Sequence, residues 1–456
     1  RSQGGGSALV HPPYTVSPLA GLRAALRGRA EVTHAPGPRL VEGLLPMKPP
    51  LVTNPANGEP GLRAELLADD GTVLRSSHRR SGKLRYTSGD LPDGAAWLRV
   101  TARLRVDETG AWRIGFTGFG RFTLTLDGEQ VLERTTRPDQ LDLTVDFVQA
   151  PTTAVTRELT AGDEIEVELR CDVYSGLPAT LGYERPPRDE AAEFDRAVAA
   201  ARDADVAVVV VGTTERVESE GFDRTTLALP GRQDDLVRAV AAANPRTVVV
   251  VNAGAPVLMP WRDEVAAVLL GWFGGQEMGN ALTDVLLGLA EPGGRLPTTW
   301  PAAEADVPVL STTPVDGRLP YAEGIHIGYR AWLRAGLAPA YPFGYGLGYT
   351  TWAYEELAVR GRVARVTVRN TGSRPGKEVV QAYLSRPDSA VERPARWLAG
   401  FAVVRAQPGE AVTVEVPLDR RAFQHWDGGW VTEPGAFTLW VGRNVTDTPL
   451  TAEVVV

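Results

Sequence analysis

Four carboxylates fall within nine residues of this 456-residue chain: Glu215, Glu218, Glu220 and Asp223, directly behind the apolar run 206–211. Such a run reads as a buried strand, and in an open α/β sheet ligands settle beyond the carboxyl ends of the strands. Carboxylates placed there are placed for proton transfer. Mutual repulsion and partial burial can hold one of them protonated near neutral pH, so that it serves as an acid. The chain leaves the loop through Leu229-Pro230-Gly231-Arg232-Gln233.

Periodicity supplies the elements that must position this loop. A helix is expected from Asp189, with Ala192, Phe194, Ala197, Val198 and Ala201 on its apolar face, and another from Gln233 to Ala243, closed by Asn244-Pro245. Strand-like runs stand at 206–211, 247–252 and 265–273. Strands alternating with helices imply a parallel, right-handed βαβ sheet. Near the start, Ser17-Pro18 opens a helix with Leu19, Leu22 and Leu26 on one face, and Glu31-Val32-Thr33 reads as a returning strand. That α/β fragment, 1–56, is left incomplete and resumes over 187–310.

Between the two parts, 57–186, the period changes to two. Leu98, Val100, Ala102, Leu104 and Val106 alternate with polar partners, as do Leu141, Leu143, Val145 and Phe147, and Ile165, Val167, Leu169 and Cys171. An antiparallel β-domain therefore interrupts the α/β domain. Residues 311–351 read as a linker, with prolines frequent from Pro297 to Pro320, and 352–456 as a second β-block of short strands separated by Asn370-Thr371-Gly372 and Glu433-Pro434-Gly435. Its spacing fits an immunoglobulin-like sandwich. The fold class expected is multidomain, α/β plus all-β.

Composition removes several functions. A net charge of −8 without a basic patch argues against nucleic acid. No apolar run approaches the roughly 18 residues of a membrane span, and RSQGGGSALV lacks both the basic start and the apolar core of a signal peptide. The single cysteine, Cys171, excludes an intrachain disulfide and a thiolate metal cage, and leaves a secreted and a cytoplasmic setting both open. His11, His34, His78, His326 and His425 stand singly, so no metal site is expected. Gly212-Thr213-Thr214 offers no phosphate cradle, and no G-x-S-x-G elbow occurs. No cofactor is expected.

The segment Ser219-Glu220-Gly221-Phe222-Asp223-Arg224 resembles the acid/base loop of family 3 glycoside hydrolases of the β-glucosidase type. Further motifs in the family's order accompany it: Gly4-Gly5-Gly6-Ser7-Ala8, Gly274-Gly275-Gln276-Glu277, Gly293-Gly294-Arg295-Leu296-Pro297, Tyr321-Ala322-Glu323-Gly324-Ile325 and Pro342-Phe343-Gly344-Tyr345-Gly346-Leu347. The last two look like the family's bridge into a fibronectin III-like domain. The insert is similar to PA14 domains, above all in Gly118 to Gly128 with its Leu126-Asp127-Gly128 turn. Calcium-dependent PA14 lectins use adjacent aspartates where this chain reads Gly118-Phe119-Gly120-Arg121, which argues against a calcium-bound sugar.

The resemblance implies an α/β sandwich interrupted by a PA14-like domain and followed by the fibronectin III-like sandwich. It also implies an N-terminal (β/α)8 barrel carrying an aspartate nucleophile in a Ser-Asp-Trp segment, which these residues do not contain. The chain thus looks like the C-terminal portion of a retaining β-glucosidase, partnered by a barrel held elsewhere and acting on β-glucosides. A non-catalytic carbohydrate-binding or scaffold fragment is the alternative.

In the enzymatic reading Glu220 is the proton donor, and the adjoining Gly221 lets backbone approach the ligand; otherwise Glu220 faces solvent or caps the following helix. Phe222 stacks on sugar or aglycone, or simply packs in the core. Ser7 hydrogen-bonds substrate or shapes a turn. Asp223 and Arg224 are expected to pair and hold the loop, Glu215 and Glu218 to be solvated. The loop Gly118 to Arg121, taken as a hairpin tip, is expected to overhang the site, with Phe119 and Arg121 touching the aglycone.

Overall fold

The computed structural model describes residues 2–4, 10, 12–40, 43–137, 150–173, 178–220, 222–309 and 312–456. Ser7, Gly221 and the alternating run 141–147 lie outside the described residues. In the α/β unit the described helices and strands are α1 (Pro18–Ala25), α2 (Glu190–Arg202), β1 (Ala207–Gly212), α3 (Gln233–Ala243), β2 (Thr247–Asn252), β3 (Ala267–Leu270) and α4 (Met278–Leu286). Helix α1 starts as its sequence requires: the Ser17 hydroxyl accepts the Ala20 N–H at 3.1 Å, and Pro18 fills a position that needs no N–H donor. Asp189 caps α2 in the same manner, accepting from Ala191 and Ala192.

Strands β1, β2 and β3 pair in parallel in that order, with Val209 opposite Val249 and Val250 opposite Leu269. Their valines pack with Val237 and Val240 of α3 and with Trp261 and Trp300 into one core. Helices α1 and α4 cross where two glycines meet. A Cβ on Gly21 would overlap the Gly279 carbonyl, and one on Gly279 the Ser17 carbonyl, so the backbones approach more closely than side chains allow. Two expectations fail here. Residues Glu31-Val32-Thr33 form no strand, and the third strand stops at Leu270 short of 273, because the backbone leaves extended geometry at Trp272, whose φ is 49°.

The insert is a sandwich of two antiparallel sheets. One holds Lys83–Arg85, Pro178–Glu184, Gly110–Thr117 and Thr152–Leu159; the other holds Val73–Arg79, Leu62–Leu67, Trp97–Arg105, Glu164–Asp172, Gly120–Leu126 and Glu129–Thr136. Leu45–Pro46 and Val52–Thr53, ahead of residue 57, add to these sheets. Inward residues of the alternating strands fill the space between the layers, where Phe116 of one sheet stacks on Phe122 of the other at 4.2 Å.

The segment Gly118 to Arg121 is not a hairpin tip, because Gly110–Thr117 and Gly120–Leu126 belong to opposite sheets. The chain crosses between layers there, with Gly120 at φ 138°. The true hairpin is the next one: Asp127 and Gly128, at φ 50° and 84°, close a two-residue turn that sets Leu126 against Glu129.

The C-terminal block is a sandwich of three strands, Trp352–Arg360, Val363–Asn370 and Ala411–Pro417, against four, Trp397–Ala406, Gly376–Ser385, Ala436–Gly442 and Leu450–Val455. The stretch read as linker contains a helix, α5 (Tyr329–Ala335), whose Tyr329 stacks on Phe343 and accepts the Leu398 N–H. Polar contacts fasten this sandwich to the α/β unit: Arg295 to Glu378 at 3.0 Å, Gln381 Nε2 to the Gly344 carbonyl, and the Lys377 N–H to Glu291.

Burial raises the Glu378 carboxyl above its ordinary range although Arg295 opposes the shift. Removing one partner of a buried pair strands the other charge at a cost of roughly 3–5 kcal/mol, so Arg295→Ala should lower the denaturation midpoint strongly and Glu378→Gln in that background should recover part of the loss. A raised folded-state pKa means that the native state holds the proton more tightly than the unfolded chain. The Arg295→Ala deficit should therefore narrow as pH falls toward the ordinary glutamate value of about 4, and a pH-independent deficit would show that the charge is not its cause.

Candidate active site

The acidic loop spans the gap between β1 and α3, and one buried side chain closes both of its ends. Gln233, the first residue of α3, is 2% exposed. Its Oε1 accepts the Gly212 N–H at 2.7 Å, while Nε2 donates to the Gly212 carbonyl and to the Pro230 carbonyl, each at 2.9 Å. The amide thus pairs both backbone groups of the last β1 residue, as a neighbouring strand would, and ties that residue to the point where the loop returns.

Within the loop the carboxylates are parted rather than crowded. Glu218 accepts from the Thr213 hydroxyl at 2.6 Å and from the Gly254 N–H at 3.2 Å, joining the chain beyond β1 to the chain beyond β2. Glu215 pairs with Lys83 of the insert at 2.7 Å. Neither is merely a solvated charge, because the loop folds back over the sheet edge and against the insert.

Asp223 and Arg224 do not pair with each other. Asp223 is exposed and accepts from the Thr312 hydroxyl. Arg224 is half-buried and donates to the Pro256 carbonyl at 3.0 Å; burial pulls its guanidinium below the ordinary range, against the nearby Glu218 and Glu304. Both still hold the loop, through other partners. Glu304 completes the anchoring, accepting from Thr226 at 2.9 Å and from the Leu227 N–H at 3.2 Å.

Glu220 stands exposed between the anchored Glu218 and Arg224, and Phe222 beside it is partly buried. Beyond β3 lies Trp272 at φ 49°, a strained setting for so large a residue, with its ring edge-on to Trp300 at 6.0 Å. Backbone strain at the carboxyl edge of a sheet is a feature no residue pattern announced. A cavity of about 290 Å³ flanks the loop, bounded by Leu227 and Pro256 on one side and by His326, Ile327 and Trp332 on the other. In the insert, Arg121 lies over the Trp97 ring at 4.4 Å and donates its N–H to Asp172, and Phe119 is partly buried. Among the described residues no cluster of three or more His, Cys, Asp or Glu side chains could hold a metal ion.

Residues 1–349 match the glycosyl hydrolase family 3 C-terminal domain, and 378–445 the fibronectin type III-like domain. The chain belongs to glycosyl hydrolase family 3. It is 35% identical over 477 residues to a β-glucosidase of Rhizobium radiobacter, covering 98% of this chain and 56% of that protein. Against β-glucosidase B of Emericella nidulans it is 35% identical over 480 residues, covering 97% and 56%.

Among solved structures, the β-glucosidase of Kluyveromyces marxianus in complex with glucose superposes with a TM-score of 0.89 at 29% identity, over 100% of this chain and 57% of that one. The β-glucosidase DesR of Streptomyces venezuelae superposes with 0.68 at 32% identity, over 99% and 54%. The chain spans little more than half the length of these family 3 relatives and corresponds to their C-terminal portion.

If the Gln233 amide is the clasp of this loop, Gln233→Leu leaves the two buried backbone groups of Gly212 and the part-buried Pro230 carbonyl without this partner. At roughly 1–3 kcal/mol for each such group, the variant should lose several kcal/mol in chemical denaturation, whereas a substitution at exposed Asp235 of the same helix should lose almost nothing. Equal stability of the Leu variant and the parent would remove Gln233 from this role.

Proposed function

We propose that this chain carries the proton-donating half of a retaining β-glucosidase, with Glu220 as the general acid and then the general base, and with the nucleophile supplied by a barrel outside these residues. The observation that carries the reading is the setting of Glu220: an exposed carboxyl on a loop beyond a parallel strand, fastened on both sides by Glu218 and Arg224. A general acid must be held steady yet reach the leaving oxygen, and this placement provides both. The β-glucosidase relatives are longer by a region that could hold a barrel of about 250 residues.

In a retaining mechanism two carboxyl groups stand about 5–5.5 Å apart across the scissile bond. The partner carboxylate attacks the anomeric carbon while Glu220 delivers its proton to the glycosidic oxygen, and the alcohol departs. Glu220, now ionised, takes a proton from water, and the resulting hydroxide equivalent releases the sugar from the glycosyl-enzyme. Phe222 offers an aromatic face beside the acid, and Ser7 a hydroxyl for substrate. The insert, read as PA14-like, presents Phe119 and Arg121 to the aglycone.

Supporting a covering barrel, the stretch that leads into the cavity wall exposes Val315 at 70%, Tyr321 at 77% and Ile327 at 56%. Exposed apolar side chains in this segment give a covering domain surface to bury.

The test is Glu220→Gln in the full-length enzyme. Turnover of alkyl or phenyl β-glucosides, whose leaving oxygen needs a proton, should fall by a hundredfold or more, in line with the ~10²–10⁴-fold contribution of a positioned acid. Dinitrophenyl glucoside should suffer far less, and azide should restore its turnover by attacking the glycosyl-enzyme. Equal losses on both substrates would displace Glu220 from the role, and a full-length protein that binds glucosides without hydrolysing them would favour a binding scaffold.

A further inference from the structure

The acidic loop is gripped from outside its own domain. We propose that the inserted β-domain positions the Glu220 loop, through the Lys83–Glu215 ion pair and the seating of Arg216 on Gly43, so that Lys83 and Glu215 are positioning residues for proton donation; this rests on the reading of Glu220 above.

Lys83 is one of three lysines in the chain, with Lys48 and Lys377, where arginine otherwise carries the positive charge. Its ammonium lies 2.7 Å from Glu215 Oε1, with side-chain exposures of 21% and 46%. The backbone beneath it is fixed. The Gly82 N–H donates to the Met47 carbonyl at 2.7 Å, the Gly82 carbonyl accepts the Leu181 N–H at 2.9 Å, and Lys83 itself sits in register with Thr180. The charge is therefore presented from a sheet, whereas Glu215 lies in a turn outside any strand or helix.

The second contact is steric. Gly43, at φ 89°, lies so close to the Arg216 guanidinium that a Cβ there would overlap it. Gly43 is itself tied to the insert, donating its N–H to Glu184 at 3.3 Å, and Glu184 is 9% exposed between Arg39 at 3.1 Å and Arg113 at 2.6 Å. Glu215 is thus held by the insert through Lys83, and the neighbouring Arg216 lays its guanidinium against Gly43 at the insert's junction. Glu218 follows at once with its links to Thr213 and Gly254, and Glu220 is the next carboxyl along.

A solvent-accessible ion pair is a weak constraint. It acts on a segment without strand or helix pairing of its own, where even a weak bias shifts populations several-fold. The insert then influences the reaction through the orientation of the acid even where it does not touch substrate.

Three variants of the full-length enzyme decide the matter: Lys83→Ala, Glu215→Lys, and the exchange Lys83→Glu with Glu215→Lys. Amide hydrogen exchange over residues 213–220 reads the loop directly. The ratio of kcat on phenyl to kcat on dinitrophenyl β-glucoside reads proton donation. Lys83→Ala should speed loop exchange and lower kcat on the phenyl glucoside about two- to five-fold, with KM and the dinitrophenyl rate nearly unchanged, and the double exchange should restore both readouts.

Unaltered loop exchange in Lys83→Ala, or a double exchange no better than either single variant, overturns the proposal. Glu220→Gln assayed beside them keeps the two readings apart. If that variant loses equally on both substrates, the proton-donor role falls on its own evidence, and with it the catalytic half of this proposal, while the exchange data still decide whether the insert holds the loop.

Discussion

The amide of Gln233 is the constraint on which the acidic loop depends. A strand that ends at a sheet's carboxyl edge leaves an N–H and a carbonyl with no strand beyond to receive them, and burial makes such groups costly. Gln233 pairs both groups of Gly212 and reaches the Pro230 carbonyl as well. The loop must therefore depart and return within the span of one side chain. Its interior can then dispense with helix and strand, because Glu218, Arg224 and Glu304 need only fix intermediate points. A loop so bounded keeps a carboxyl in place while leaving it open to solvent, two demands that regular secondary structure seldom meets together.

Each of the three units has a hydrophobic core of its own, and the contacts that join them are mainly polar. Arg295 with Glu378, and Gln381 with Gly344, lock the C-terminal sandwich to the α/β unit; Lys83 with Glu215 links the insert to the loop. A buried ion pair adds little net stability because desolvation offsets the attraction. It does, however, penalise every arrangement in which the charges fail to meet. Polar junctions between self-sufficient cores thus fix relative orientation more than they add stability.

Much of this architecture was legible in the sequence because its signals are local. Serine followed by proline marked the start of α1, period-two alternation marked the insert's strands Trp97–Arg105 and Glu164–Asp172, and valine runs marked β1 and β2. What escaped depends on contacts distant in sequence. Whether Gly118 to Arg121 turns within one sheet or crosses to another is decided by which strands pair, and alternation is the same in both cases. The partner of Arg224 is a backbone carbonyl, and that of Asp223 lies in a segment read as linker; adjacent opposite charges made their mutual pairing the simplest inference from sequence. Gln233 had a visible signal, a polar side chain just after Pro230-Gly231 where an apolar helix face begins, but its two-sided role appears only with the strand end in place. Helix α5 was hidden by its length, since seven residues are too few to display a helical period.

The close crossing of α1 and α4 bears on how the molecule assembles. Gly21 and Gly279 stand roughly 260 residues apart in the chain, a separation whose loop-closure entropy must be met before the contact repays it. The helix that begins the α/β unit leaves the ribosome long before its partner, and the whole insert emerges between them. Because the insert has a complete core of its own, it can fold first and bring its two ends near each other, which shortens the search. In this sense the inserted sandwich acts as an internal tether for the domain it interrupts, and α1 remains uncovered until the last part of that domain arrives.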